Sequence, residues 1–177
     1  MKILKIIGVV LLVLILAYLV LCFLGPKRID TTQSIEMDAY TRTVYNHVAN
    51  LEKWELWSPF HEMDPEMRII YGELREGKGA FYSWDGKKAG KGRQEIVDAQ
   101  PYNSLTTQLE FNNNGDYSYG NWTFENLEGK KTKVTWNMQS AQDLSFLTRG
   151  FMKLMNFEKV LSDQFQKGLN NLKELVE

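Results

Sequence analysis

The C-terminal stretch constrains this chain more than any other. From Phe146 to Val176 there is no proline, and the large apolar residues Phe151, Leu154, Leu161, Phe165, Leu169, Leu172 and Val176 fall at steps of three, four or seven. That spacing holds them on one stripe of a helix, so a single long amphipathic helix is expected over the whole stretch. A stripe of this length must be covered by apolar surface from elsewhere in the chain.

The cover is legible upstream. Met67-Ile69-Tyr71, Ala80-Tyr82-Trp84, a segment around Gln94 and Ile96, Leu105-Thr107-Leu109-Phe111, Trp122-Phe124 and Val134-Trp136-Met138 alternate with polar residues at period two. They read as six strands. The opposite faces carry Arg68, Ser83, Arg93, Glu95, Gln108, Glu110, Thr135 and Asn137, so one side of the sheet is buried and the other wet. The joints are Gly77-Lys78-Gly79, Asp85-Gly86, Gly90-Lys91-Gly92, Asn112-Asn113-Asn114-Gly115-Asp116 and Glu128-Gly129-Lys130. Turn chemistry of this kind makes consecutive hairpins and an antiparallel meander. No strand–helix–strand alternation appears, which excludes a parallel nucleotide-binding sheet. Ahead of the meander, Gln33–Met37 alternates as a first strand, and Asp38 is placed to cap a helix whose apolar positions are Tyr40, Val44, Val48 and Leu51. A second short helical turn, Glu52 to Trp57, is expected to stop at Ser58, because the residue before Pro59 is pushed out of helical geometry. The fold expected is α+β: a curved antiparallel sheet of about seven strands wrapped around a long C-terminal helix, with two short helices after strand 1. Space between the concave face and the helix is where a pocket forms.

The N-terminus is a separate matter. Ile6 to Leu24 contains 19 residues without a charge, about 28 Å as a helix and close to the thickness of a bilayer's hydrocarbon core. A cleaved signal peptide is the competing reading, given Lys2 and Lys5. Against it, the apolar run exceeds the usual length, and Leu24-Gly25-Pro26-Lys27 offers no small-x-small cleavage site. The organisation expected is a single-pass membrane anchor over 1–26 and one domain over 27–177. Lys2 and Lys5 on one side nearly balance Lys27, Arg28 and Arg42 on the other, so the charges do not choose which side of the membrane carries the domain. Pro26 ends the helix a few residues before the first strand, which keeps the domain close to the bilayer.

Charge and cysteine usage exclude several classes. Beyond residue 26 the chain holds 19 basic against 22 acidic residues, which leaves no electrostatic footprint for nucleic acid. The single cysteine, Cys22, sits inside the apolar run, so the domain has no disulfide, thiolate metal site or cysteine nucleophile. Gly77-Lys78-Gly79 and Gly90-Lys91-Gly92 do not open a helix and read as hairpin glycines, with no phosphate cradle. His47 on a helix and His61 in the polar Phe60-His61-Glu62-Met63-Asp64 loop do not make a metal site.

Several motifs resemble the START-like (SRPBCC) superfamily, whose helix-grip fold includes the polyketide cyclase/dehydrase and lipid-transport group. They are Trp54 and Trp57-Ser58-Pro59, Gly77-Lys78-Gly79 followed by Trp84, Gly90-Lys91-Gly92, Thr132-Lys133-Val134-Thr135-Trp136 and the closing Phe165–Lys173. The resemblance spans about residues 30–176 and implies the fold. It implies little about activity, since the scaffold serves carriers, receptors, cyclases and chaperone regulators alike. The matching residues look structural, with Gly168 allowing close approach of the final helix to the sheet.

No acid, base and nucleophile are expected to converge inside the pocket, so no catalytic residues are assigned; His61 and Glu62 are the best candidates for an enzyme reading. No cofactor and no metal are called for. The reading favoured is a membrane-anchored binding module for a lipid or other hydrophobic small molecule. Trp57, Trp84, Leu109, Trp122, Trp136, Phe151, Leu154 and Met155 are its expected lining, and Met152 and Met155 its adaptable walls. The alternatives are a cyclase- or hydrolase-type enzyme and a non-catalytic domain that meets another protein at the membrane.

Overall fold

A computed structural model describes residues 2–112 and 115–177. The elements are α1 (Lys2–Leu24), β1 (Asp30–Met37), α2 (Thr41–Val48), a 3-10 helix (Leu51–Leu56), α3 (Pro59–Met63), β2 (Arg68–Tyr71), β3 (Phe81–Gly86), β4 (Gly90–Gln100), β5 (Ser104–Phe111), β6 (Tyr117–Leu127), β7 (Lys131–Ser140), α4 (Phe146–Leu154) and α5 (Phe157–Val176). The seven strands form one antiparallel sheet in the order β1-β7-β6-β5-β4-β3-β2. Strands 2 to 7 are the expected meander, and β1 closes the far edge by pairing with β7 from Asp30↔Gln139 to Met37↔Thr132. The chain therefore crosses from one edge of the sheet to the other between β1 and β2, and α2, the 3-10 helix and α3 make that crossing. Where β4 meets β5 the register slips between Ile96 and Asp98, a bulge that adds bend and twist to the long strand. Asn113 and Asn114, in the expected Asn112–Asp116 joint, lie outside the described residues.

Local structure departs from expectation in three places. Asp38 caps nothing: Tyr40 is the N-cap of α2 and uses no side chain for it, while the Asp38 N–H donates to Glu177 Oε1 at 2.7 Å. The loop expected around His61 is the helix α3, because Pro59 occupies its first turn, where its fixed φ is already helical and its missing N–H is not needed. Most consequentially, the single C-terminal helix is two. Asn156 takes φ 49° and ψ 42°, a left-handed conformation that Asn tolerates and a right-handed helix cannot pass through.

The second part, α5, behaves as its periodicity predicts. Leu161, Phe165, Leu169 and Leu172 are buried against the sheet. Gly168 makes the approach possible, since a β-carbon there would stand 2.8 Å from Pro59 Cδ and 3.2 Å from Trp136 Cζ3. Aromatic rings fill the space beneath. Phe165 stacks on Trp136 at 3.9 Å between centroids and 6° between planes. Trp136 in turn stacks on its cross-strand neighbour Trp122 at 4.4 Å and 20°. Trp54 and Trp57 meet these rings edge-on.

The first part, α4, is turned away and packs on the end of α1. Tyr18 donates its hydroxyl to Leu147 O at 2.9 Å. A β-carbon on Gly150 would overlap the Cys22 sulfur, and Cys22 is fully buried in this crossing. The rest of α1 is almost wholly exposed, and it is long and apolar enough to cross a membrane.

Candidate functional site

Between the concave face of the sheet and the two C-terminal helices lies a cavity of about 830 Å³, within the range that holds small-molecule ligands. Tyr82 and Trp84 line it from β3, Gln94 from β4, Thr107, Leu109 and Phe111 from β5, and Trp136 and Met138 from β7. Phe60, His61 and Met63 enter from α3, Met152 from α4, and Phe157, Leu161 and Phe165 from α5. The inward period-two positions of the strands supply the floor, and the helices supply the roof. A second, more open cleft of about 650 Å³ runs along the outside of α3 between Glu55, Trp57, Glu62, Asp64 and Tyr71. His61 and Met67 border both spaces. The inner cavity is the better ligand site, because its walls are mostly apolar and it is the more enclosed.

The expected lining residues separate into three groups. Trp84, Leu109 and Trp136 line the cavity. Trp57 and Trp122 are buried in the core, Trp57 with an edge on the outer cleft. Phe151, Leu154 and Met155 stand 53%, 62% and 55% exposed, outside the cavity. The break at Asn156 is the reason: it rotates α4 off the stripe of α5, so only Met152 of the expected methionine wall still faces inward. The bare residues Leu147, Phe151 and Leu154 are spaced four and three apart and form an exposed stripe on α4.

The strand pattern put Gln94 and Thr107 on the buried face, but neither was expected to line the cavity. Gln94 is 2% exposed, and its Nε2 has no hydrogen-bond partner. The signal was present, since Gln94 lies two residues before inward-facing Ile96 on the same strand. Tyr82, paired with Gln94 across β3 and β4, donates its hydroxyl to Gln94 Oε1 at 3.4 Å. Burial pushes the Tyr82 phenol well above its usual range, so it stays protonated. The His61 ring lies 6.0 Å from that of Tyr82, and neither of its nitrogens has a partner. Burial lowers the His61 pKa, with Glu55 opposing, so the imidazole is neutral at pH 7.

The acids near His61 are engaged elsewhere. Glu62 pairs with Lys167 at 2.8 Å. Asp64 accepts the backbone N–H groups of Lys88 at 2.7 Å and Ala89 at 3.1 Å, which hold its carboxyl below the usual carboxylate range. His47 bonds to Thr43 O on its own helix at 2.8 Å. Among the described residues no three His, Cys, Asp or Glu side chains are grouped to hold a metal ion.

Comparison with known proteins follows the same lines. No curated protein matches the chain. A solved protein from Helicobacter pylori superposes with a TM-score of 0.65 at 9% identity, over 84% of this chain and 88% of its own. A protein from Chromobacterium violaceum does so at 0.59 and 14%, over 84% and 97%. An HSP90 activator from Plasmodium falciparum does so at 0.58 and 13%, over 83% and 95%. At such identities these likenesses speak for the helix-grip fold alone. The family described as polyketide cyclase / dehydrase and lipid transport matches residues 28–177, nearly the whole chain beyond α1. The chain belongs to the polyketide cyclase / dehydrase and lipid transport family.

Proposed function

We propose that this chain is a membrane-anchored binding module that holds a lipid or another hydrophobic small molecule between its sheet and its C-terminal helices. The cavity of about 830 Å³ carries the reading, because a solid core would need no such space and its walls offer chiefly shape and apolar contact. The anchor rests on α1, whose apolar surface has no protein cover over most of its length. A cleaved leader would leave the α4 face around Gly150 bare, whereas Tyr18 and Cys22 of α1 fill it. The stripe Leu147, Phe151 and Leu154 belongs to that same helix, so it faces the bilayer surface beside the anchor, as interfacial helices do. The inner side of α4 meanwhile lines the cavity through Thr148 and Met152.

A cyclase-type reaction is the second reading, and His61 is the observation that favours it. A neutral imidazole with both nitrogens free in a cavity wall is able to accept a proton.

The test is to purify the full chain from membranes in mild detergent and identify extracted small molecules by mass spectrometry, beside a Leu109→Trp variant that fills the cavity. A hydrophobic compound present near one per chain in the first and depleted in the second is the expected result. An empty wild-type cavity that also takes up no added apolar dye would overturn the reading, as would a mature N-terminus beyond Gly25 for the anchor.

A further inference from the structure

The cavity wall is mostly apolar, and one polar cluster within it is under-satisfied. Gln94, on β4, is almost wholly buried, and the Tyr82 hydroxyl occupies its Oε1 while Nε2 is left without an acceptor. His61 reaches the same Tyr82 ring from α3 with two more unpartnered nitrogens. Burying an unpaired donor is costly, and such a group in a native protein calls for a partner, whether a protein group, a water or a ligand. The Gln94 amide is a pure donor at Nε2, and the neutral His61 ring has one N–H to give. The missing partner is therefore a hydrogen-bond acceptor.

Charge narrows it further. Among the described lining residues Lys88 is the only cation, and it is exposed at the rim. The acids in the lining are Asp116 and Asp143, and Asp143 is tied to Arg28 at 2.6 Å. A carboxylate or phosphate carried to the level of Gln94 would meet no buried counter-charge, and an isolated anion in such surroundings is strongly disfavoured.

We propose that Gln94 and His61 receive a neutral oxygen acceptor, a ketone or ester carbonyl, at one end of an otherwise apolar ligand. The inference rests on the container reading above and names the ligand class for it. Orientation follows from the same geometry: the carbonyl end lies toward Tyr82 on β3 and α3, and the hydrocarbon remainder runs along Leu109, Trp136 and Phe157 beneath the C-terminal helices.

The experiment uses the full chain in maltoside micelles, with empty micelles as blank, and reads displacement of Nile red by three probes of equal chain length: undecane, 2-undecanone and undecanoate. The wild type is expected to bind the ketone about tenfold tighter than the alkane, the value of one buried hydrogen bond, and undecanoate least. Gln94→Met should abolish the ketone preference while keeping alkane binding, which also reports that the variant is folded. His61→Phe should reduce the preference in the same direction. A ketone-to-alkane ratio unchanged in both variants, or a wild-type preference for undecanoate, would overturn the inference. Failure of every probe to displace the dye, or no uptake of dye at all, would overturn the container reading itself and the inference with it.

Discussion

Trp136→Ala should cost about 3–5 kcal/mol of stability, the range for deleting a large aromatic side chain from a packed core. The structure supports the upper half of that range. Trp136 is 4% exposed, stacks on Phe165 and Trp122, and meets Trp54, Trp57 and Phe60 edge-on. An indole of this burial removes about 150–250 Å² from water, about 4–6 kcal/mol at the usual coefficient and an upper bound on the loss. The stack with Phe165 adds about 0.5–1.5 kcal/mol that belongs to neither ring alone. Urea unfolding of the full chain in micelles, followed by far-UV circular dichroism, measures the single variants Trp136→Ala and Phe165→Leu and the double. The double should be less destabilised than the sum by about 0.5–1.5 kcal/mol, and the thermal midpoint of Trp136→Ala should fall by about 6–20 °C. The hole adjoins the ligand cavity, so free indole at ten times its Kd should restore about 1.4 kcal/mol. A loss below about 1 kcal/mol for Trp136→Ala, or strict additivity in the cycle, would refute the stacked-core account.

The break between α4 and α5 predicts opposite outcomes at one position: Asn156→Gly should be neutral or mildly stabilising, and Asn156→Val should lose about 1–2 kcal/mol because of its left-handed backbone, both read by urea midpoints. Gly150→Leu should force α1 and α4 apart, so the buried Cys22 thiol should react with a maleimide faster than in the wild type while the domain's urea midpoint stays unchanged. His61 sets a pH window. Its folded pKa lies below its ordinary 6.5 through burial, against the opposing pull of Glu55, so the unfolded chain takes up the proton first. Stability present above pH 6.5 should therefore fall as the pH drops below 6.5, and His61→Phe should flatten that fall. The carboxylates held low in the fold, Asp64, Asp143 and Glu177, add their own losses only nearer their ordinary values of 3.8, 3.8 and 4.5.

The sheet was legible because its pattern is two-valued. Period-two alternation separates Tyr82, Trp84 and Trp136 from Ser83, Thr135 and Asn137 without knowledge of any partner, and glycine with positive φ marks the turns at Gly77, Gly79 and Gly129. The cavity was less legible, because an inward position does not say whether a ring fills the core or borders a void. Trp122 and Trp136 are cross-strand neighbours of like chemistry, yet only Trp136 reaches the cavity. That distinction depends on where α5 comes down on the sheet, which Gly168 and Pro59 determine from parts of the chain more than a hundred residues apart.

The C-terminal helix shows how a correct periodicity can conceal a change of partner. Phe151, Leu154, Leu161 and Phe165 share a stripe only if the helix is continuous, and one left-handed residue at Asn156 separates them into two surfaces. Leu161 and Phe165 remain on the sheet, while Phe151 and Leu154 become the bare face of a short helix clamped to α1. Helical spacing reports that a face is apolar and is silent about which apolar medium meets it. Protein core and lipid demand the same side chains, so the two halves of one stripe are distinguished by the backbone between them and by the company each keeps. For α5 that company is Trp136, and for α4 it is a helix of bilayer length. The same break leaves one side of α4 over the cavity and another bare beside α1. In the proposed reading it therefore puts the ligand's roof and the membrane contact on neighbouring faces of one nine-residue helix.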